Sequence, residues 1–149
     1  MDKTAAIPLK MIHAQALART HAQCFEKPWS ETDFRDWLGR VDVFGVGFCV
    51  DQRLCAFGLV LNTVDDGELV TLATEPALRG RGIARLILSD LSDTARSRGL
   101  KRLVLEVASD NAPARAVYAR FGFQPIGHRK GYYPRPSGPV DALVMALDL

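Results

Sequence analysis

Leu69-Val70-Thr71-Leu72-Ala73-Thr74-Glu75-Pro76-Ala77-Leu78-Arg79-Gly80-Arg81-Gly82-Ile83-Ala84 is the stretch from which the architecture of this chain can be read. An apolar, β-like run leads into a short Arg/Gly turn, and an amphipathic helix starts straight after it. Such a turn aims several backbone N–H groups at one point with a helix N-terminus behind them, which is a ready site for a phosphate or pyrophosphate. Gly80 and Gly82 let the backbone approach an anion closely because no Cβ intervenes. Arg79, Arg81 and Arg85 add positive charge around it.

Downstream, Ile83, Leu86, Ile87, Leu91 and Ala95 recur every three or four residues, which predicts a helix with one apolar face. Arg96 and Arg98 fall in its last turn and Gly99 stops it. Arg102 to Ala108 reads as a buried strand, and Ser109-Asp110-Asn111 caps a helix from about Ala112 to Arg120, with Pro113 in its first turn. Two strands close the chain, near Gln124 to Tyr132 and Ala142 to Leu147, separated by a loop rich in Pro and Gly. The strands before and after the central helix are joined by a crossover and should therefore be parallel.

Upstream, residues 9 to 25 carry apolar side chains at mostly helical spacing, and Pro28-Trp29-Ser30 breaks that helix. Ser30 and Asp33 form a capping-box pattern for a second short helix that ends at Gly39. Val43 to Val50 and Leu54 to Thr63 form an antiparallel pair around Asp51-Gln52-Arg53, and Asp65-Asp66-Gly67 turns the chain into the strand 68 to 74. The chain thus opens with helices and continues as an antiparallel meander. The fold class is α+β: a mixed, mostly antiparallel central sheet with a parallel central pair, flanked by helices on both faces.

A length of 149 residues predicts a single domain over 1–149 with one core. At 48% hydrophobic and 24% charged residues, the composition is that of a soluble globular protein. A net charge of +2 is too small to argue for nucleic acid, and aromatics are not interleaved with basic residues. The basic cluster Arg96, Arg98, Lys101 and Arg102 reads as a solvated face and helix C-terminal charge. Cys24, Cys49 and Cys55 have no metal-ligand spacing, and an odd count argues against a disulfide framework. Met1-Asp2-Lys3-Thr4 is followed by no apolar stretch of signal-peptide length, and no run reaches the roughly 18 apolar residues of a membrane span. These features predict a cytoplasmic protein with reduced thiols, no membrane contact and no metal.

Two phosphate-binding patterns compete for the turn. Gly80-Arg81-Gly82 opens like the dinucleotide fingerprint, but Arg85 stands in place of the third glycine and too little chain remains for a doubly wound sheet. The alternative frame, Arg79-x-x-Gly82-x-Ala84, resembles the pyrophosphate-binding signature of the GNAT acetyltransferases, which use acetyl-CoA. The strand before it, the helix after it, and Leu105-Glu106-Val107 followed by Ala114, Tyr118 and Gly122-Phe123 extend the resemblance over about residues 5 to 148. Within that superfamily the chain resembles the RimI type, which acetylates the N-terminal alanine of a bacterial small-subunit ribosomal protein. Pro28-Trp29-Ser30, Asn111-Ala112-Pro113-Ala114, and Arg129-Lys130-Gly131-Tyr132-Tyr133-Pro134 with Asp141 to Met145 carry this closer match. The departures are Ala84 for the commoner glycine and Gly131 where the family often has asparagine.

The resemblance implies an acetyl transfer from acetyl-CoA to an amine, which must be neutral to attack. An α-amino group has a pKa near 8 and lysine near 10.4, so deprotonating an N-terminus costs about 3 kcal/mol less than deprotonating lysine. A modest base suffices. Glu106 interrupts an apolar strand beside the cofactor turn, where burial would raise its pKa toward a useful value, and the resemblance makes it the proton acceptor, directly or through water. Without that motif, a strand-end glutamate paired with an arginine such as Arg102 is the simpler reading. Tyr118 matches the proton donor to the leaving thiolate, although by position alone a core aromatic is equally expected. The resemblance also assigns the backbone of Leu72, Ala73 and Thr74 to the pantetheine arm, and Arg79, Gly80, Arg81, Gly82, Ile83, Ala84 and Arg85 to the pyrophosphate. Asn111 either contacts pantetheine or caps its helix. Trp29, Tyr132 and Tyr133 are either walls of a peptide-binding groove or packing aromatics. His13, His21 and His128 have no partner spacing and read as surface or structural residues.

A lysine or a small amine could replace the N-terminal acceptor without changing this chemistry, because acceptor choice lies in loop shape. A non-catalytic acyl-CoA-binding module is the reading of another class. The presence of both Glu106 and Tyr118 argues against it, since a pure binder needs neither.

Overall fold

The computed structural model describes residues 4–149; residues 1–3, where the expected absence of a leader begins, lie outside the described residues. The chain runs β1 (Thr4–Pro8), α1 (Ala14–Cys24), α2 (Glu31–Leu38), β2 (Val43–Val50), β3 (Arg53–Asn62), β4 (Asp66–Thr74), α3 (Ile83–Ser97), β5 (Arg102–Ala108), α4 (Ala112–Phe121), β6 (Gln124–Tyr133) and β7 (Val140–Asp148). Short 3-10 turns, Met11–His13 and Pro76–Leu78, precede α1 and follow β4. The strands form one seven-stranded sheet in the order β1-β2-β3-β4-β5-β7-β6. Among the described residues only β4 and β5 are parallel, as their crossover through α3 predicts.

Local chemistry explains the boundaries. Ser30 Oγ accepts from the Asp33 N–H at 3.1 Å and Asp33 Oδ2 accepts from the Ser30 N–H at 2.8 Å, closing the capping box that starts α2. Asp51 and Gln52 both have positive φ, the conformation of the two-residue turn whose twist matches the β2–β3 hairpin.

Near the N-terminus the structure departs from the expected opening helix in two ways. The chain opens with a strand, because Thr4–Pro8 pairs antiparallel with the edge of β2. α1 starts only at Ala14, since Met11 and Ile12 are 50% and 83% exposed and belong to the 3-10 turn.

Helices cover both faces. α3 buries Ile83, Ile87, Leu88, Leu91 and Ala95 against Leu103, Leu105 and Val107, and α4 adds Val117, Tyr118 and Phe121 to that layer. Each fully buried Leu or Ile there contributes about 2 kcal/mol of transfer free energy. On the other face, Ala14 and Leu17 of α1 and Phe34 of α2 pack on Leu54, Phe57, Leu59 and Ala73. That second layer extends over β2 to β4 and leaves the same face of β5, β7 and β6 uncovered by α1 and α2.

Two irregularities in β4 shape the centre of the sheet. Val60 pairs Leu69 whereas Leu59 pairs Thr71, so Val70 is an extra residue, a β-bulge. The parallel ladder to β5 holds only at Asp66–Arg102, Gly67–Leu103 and Glu68–Val104 and then stops. A bulge bends its strand and increases its twist. Beyond it, β4 and β5 continue to Thr74 and Ala108 without pairing to each other, and a cleft opens between them.

Candidate active site

The cleft exposes one edge of β4 over Leu72, Ala73 and Thr74, since β3 takes only the other edge. Directly beyond that edge lies the Arg/Gly turn. Gly80 and Gly82 have φ of 79° and 80°, the left-handed region that costs an L side chain about 1 kcal/mol or more. Gly82 is the N-cap of α3 and supplies no side-chain cap. Among the described residues, the backbone N–H groups of Gly80, Arg81, Gly82, Ile83, Ala84 and Arg85 donate to no protein acceptor. A Cβ built on Gly80 or Gly82 would meet nothing within 4 Å, so the turn is open above as well as unpaired. Unpaired amides, a helix N-terminus and the exposed Arg79, Arg81 and Arg85 form a fitting seat for a diphosphate.

The turn is fixed by contacts the sequence did not reveal. Glu75, 5% exposed, makes a bidentate ion pair with Arg53, its Oε2 accepting from Nη2 at 2.7 Å, and that pair holds its carboxyl below the usual range. The Glu75 N–H donates to Cys55 O at 2.9 Å. The Thr74 carbonyl accepts from Arg79 Nε at 3.1 Å and from Cys24 Sγ at 3.4 Å. These bonds clamp the end of β4 to β3, to α1 and to its own turn. An acid directly before Pro76 reads as an ordinary turn residue, so only its burial betrays the role.

Leu105 and Val107 face α3, so Glu106 between them faces the opposite side of the sheet, the α1 side. Its expected burial among apolar groups is not what the structure holds. Its side chain is 23% exposed and its Oε1 meets Arg129 Nε at 2.9 Å. Arg102, the simpler partner, instead pairs with Asp66 at 3.1 Å. Arg129 also lies over the Tyr132 ring, 5.3 Å from its centroid. Tyr133 is half-buried; burial, and then the charge of Glu106, pushes its phenol up. Tyr132 and Tyr133 meet edge to face at 5.1 Å, and Tyr132 is 49% exposed. Gly131 between Arg129 and these rings has φ of 61°, a conformation glycine and asparagine adopt most readily.

Tyr118 packs edge to face on Phe123 at 5.7 Å, and burial, with Tyr133 nearby, pushes its phenol up to about 12. Asn111 caps α4: its Oδ1 accepts from the Ala114 N–H at 3.3 Å. Trp29 is half-buried and stacks on Trp37 at 5.5 Å and on His21 at 5.2 Å, and it lies on the α1–α2 connection. His21 is not at the surface: it is 3% exposed, its Nδ1 accepts from the Trp29 N–H at 3.0 Å, and burial pushes it down to about 4.

The structure thus holds a splayed parallel pair and, beyond its open edge, a turn of unpaired amides, with Glu106 on the strand that forms the other wall of the cleft. Residues 14–123 match the acetyltransferase (GNAT) family. The chain belongs to the GNAT acetyltransferases. The ribosomal protein bS18-alanine N-acetyltransferase of Salmonella typhimurium is 35% identical to this GNAT chain over 122 residues, 82% of each. The crystal structure of the ribosomal-protein-S18-alanine N-acetyltransferase from Escherichia coli matches it with a TM-score of 0.89 at 28% identity, covering 97% of this chain and 93% of that one. Arabidopsis thaliana NAA60, solved in complex with acetyl-CoA, shares the fold with a TM-score of 0.85 at 16% identity, covering 99% of both.

Proposed function

We propose that the protein moves an acetyl group from acetyl-CoA to the α-amino group of an N-terminal alanine, on a bacterial small-subunit ribosomal protein of the bS18 type, working in the cytoplasm as a single domain over 1–149. The observation that carries this reading is the unpaired edge of β4 running into the unpaired amides of Gly80 to Arg85. A pantetheine arm carries two amides and pairs with such an edge as a peptide would, while the turn takes the diphosphate. Bound there, acetyl-CoA supplies an acetyl thioester. The acceptor class rests on the 35% identity to an alanine N-acetyltransferase.

The chain's own groups then divide the work. Glu106 accepts the proton of the incoming ammonium, so that a neutral amine attacks. Arg129 Nε meets Oε1 of that carboxylate at 2.9 Å and holds it in place. Tyr118 donates a hydrogen bond to the departing sulfur. A phenol near 12 opposite a thiol near 8.5 makes full transfer from Tyr118 cost about 5 kcal/mol against a solvated thiolate. Donation of a hydrogen bond, with the proton moving late, is therefore the reading for this tyrosine. Tyr132, Tyr133 and Trp29 wall the approach for an extended N-terminus, and Asn111 keeps the loop before α4 in place.

A peptide screen with acetyl-CoA tests this directly. Peptides with a free N-terminal alanine are expected to be acetylated, and N-blocked peptides that contain lysine are not. Acetylation confined to blocked peptides would move the reading to a lysine acceptor.

A further inference from the structure

The hairpin that carries Tyr132 and Tyr133 is loosely paired where they stand. Arg129 pairs with Ala142 and Tyr133 pairs with Val140, so Lys130, Gly131 and Tyr132 stand opposite Asp141 alone. A bulge of this kind leaves its extra residues outside the ladder. Within it the Gly131 N–H donates to the Asp141 side chain, Oδ1, at 2.9 Å. The ladder does not hold this segment against the cleft, so side chains must.

Two ion pairs do so, one on each side of the tyrosines. Before them, Arg129 reaches Glu106 on β5. After them, Arg135 reaches Asp110, in the loop that leaves β5: Nε donates to Oδ2 at 2.9 Å and Nη2 to Oδ1 at 3.1 Å. Such a two-pronged contact fixes direction as well as distance. Nη1 of the same guanidinium donates to the Pro134 carbonyl at 2.9 Å, and its Cζ lies 5.8 Å from the centroid of the Tyr133 ring. Asp110 is itself held between neighbours with fixed partners. Asn111 caps α4, and the Ser109 N–H donates to the Asp141 carbonyl at 2.8 Å.

Tyr133 stands within electrostatic reach of both groups assigned to the chemistry. Burial and then the charge of Glu106 push its phenol up, and burial and then Tyr133 push up that of Tyr118. The Asp110–Arg135 pair therefore bears on the acceptor wall, whereas the diphosphate turn is fixed by contacts of Arg53, Cys24 and Arg79.

We propose that Asp110 and Arg135 form a strap that positions Tyr133 over the cleft, and that its closure sets the affinity for the acceptor peptide. This rests on the acetyltransferase reading above. Asp110 and Arg135 are 45% and 35% exposed, so the pair can open and remake in solvent and adds little to global stability. Opening it frees Tyr133 and the bulge before it, and an N-terminus enters. Closing it brings the ring back against that N-terminus.

The test removes the pair from either end. The wild type is first shown to turn over a peptide with a free N-terminal alanine. Arg135→Gln and Asp110→Asn are each expected to raise the KM for that peptide at least about fivefold, with the KM for acetyl-CoA within about twofold of the wild type and the melting temperature within about 2 °C. Arg135→Lys keeps the charge without the two-pronged geometry, so its KM for the peptide should fall between those of Arg135→Gln and the wild type. The double variant should be no worse than either single one, because the second change removes nothing further. A wild-type KM for the peptide in both single variants overturns the strap, and so do losses that multiply in the double variant. A wild type inert toward every peptide overturns the acetyltransferase reading instead, and the strap is then read by hydrogen exchange. The amides between Lys130 and Gly138 should exchange at least about fivefold faster in Arg135→Gln than in the wild type, and equal rates overturn the strap.

Discussion

Glu106 and Arg129 are joined at 2.9 Å across the intervening strand β7, from the edge strand to the centre of the sheet. The contact is partly solvated on the Arg129 side, so its electrostatic stabilisation of the fold is small. Its use is positional, because Nε at Oε1 ties the carboxylate of β5 to the edge strand β6. Glu106→Gln is expected to lower kcat about 100-fold, the usual scale for a lost general base. Arg129→Ala alone is expected to cost about tenfold, since the carboxylate loses its orientation. In the double variant the Arg129 loss should almost vanish, because nothing remains to orient. Kinetics on the four proteins of this cycle measure the coupling, and additive losses would separate the two residues.

Tyr118 gives a prediction with a pH signature. A phenol pushed up to about 12 stays protonated throughout the working range. The kcat profile of the wild type should therefore show no alkaline fall attributable to this residue below about pH 11. Tyr118→Phe should lower kcat by about 100-fold and leave the KM for acetyl-CoA nearly unchanged. An unchanged kcat removes Tyr118 from the chemistry and leaves it a packing partner of Phe123.

Much of this arrangement was legible beforehand, and the exceptions share a cause. The crossover through α3, the capping box at Ser30 and the Arg/Gly turn between β4 and α3 are local patterns, each stated by residues close in sequence. β1 was not legible, since Thr4–Pro8 has no alternation and is strand only because β2 offers it an edge. The Glu106–Arg129 and Arg53–Glu75 pairs join residues far apart in sequence, and a lone acid on a strand or before a proline carries no mark of its partner. The bulge at Val70 was equally silent: it shows only when two neighbours of β3 are seen to pair three residues of β4. Glu106 thus owed its candidacy to the motif, while its true surroundings came from tertiary pairing.

The Arg/Gly turn proposed to seat the diphosphate yields a test that separates conformation from binding. Gly82 has φ of 80°, and a Cβ there meets no protein atom. Gly82→Ala should therefore cost the ligand-free fold only the backbone strain, about 1 kcal/mol, or about 3 °C in melting temperature. The same Cβ, or a turn relaxed to avoid the strain, spoils the set of amides. The KM for acetyl-CoA is expected to rise at least about tenfold, a separate 1.4 kcal/mol. Equal acetyl-CoA binding in a destabilised variant would place the diphosphate elsewhere.

His21 makes stability depend on pH in a defined direction. Burial pushes the imidazole from 6.5 down to about 4, so the folded chain holds it neutral while the unfolded chain binds a proton below 6.5. Its contribution is fully present above pH 6.5 and is lost as pH falls toward 4. The expected loss is about 2 kcal/mol by pH 5, before most carboxylates begin to titrate. Protonation also removes the Nδ1 acceptor of the Trp29 N–H, so the connection between α1 and α2 should loosen first. His21→Gln cannot titrate and should lack this dependence, although it is less stable at neutral pH. Urea unfolding of both proteins at pH 7.5 and pH 5 measures the difference. Parallel losses in the two would mean that His21 is protonated in the folded chain and that the stacked aromatics around it tolerate the charge.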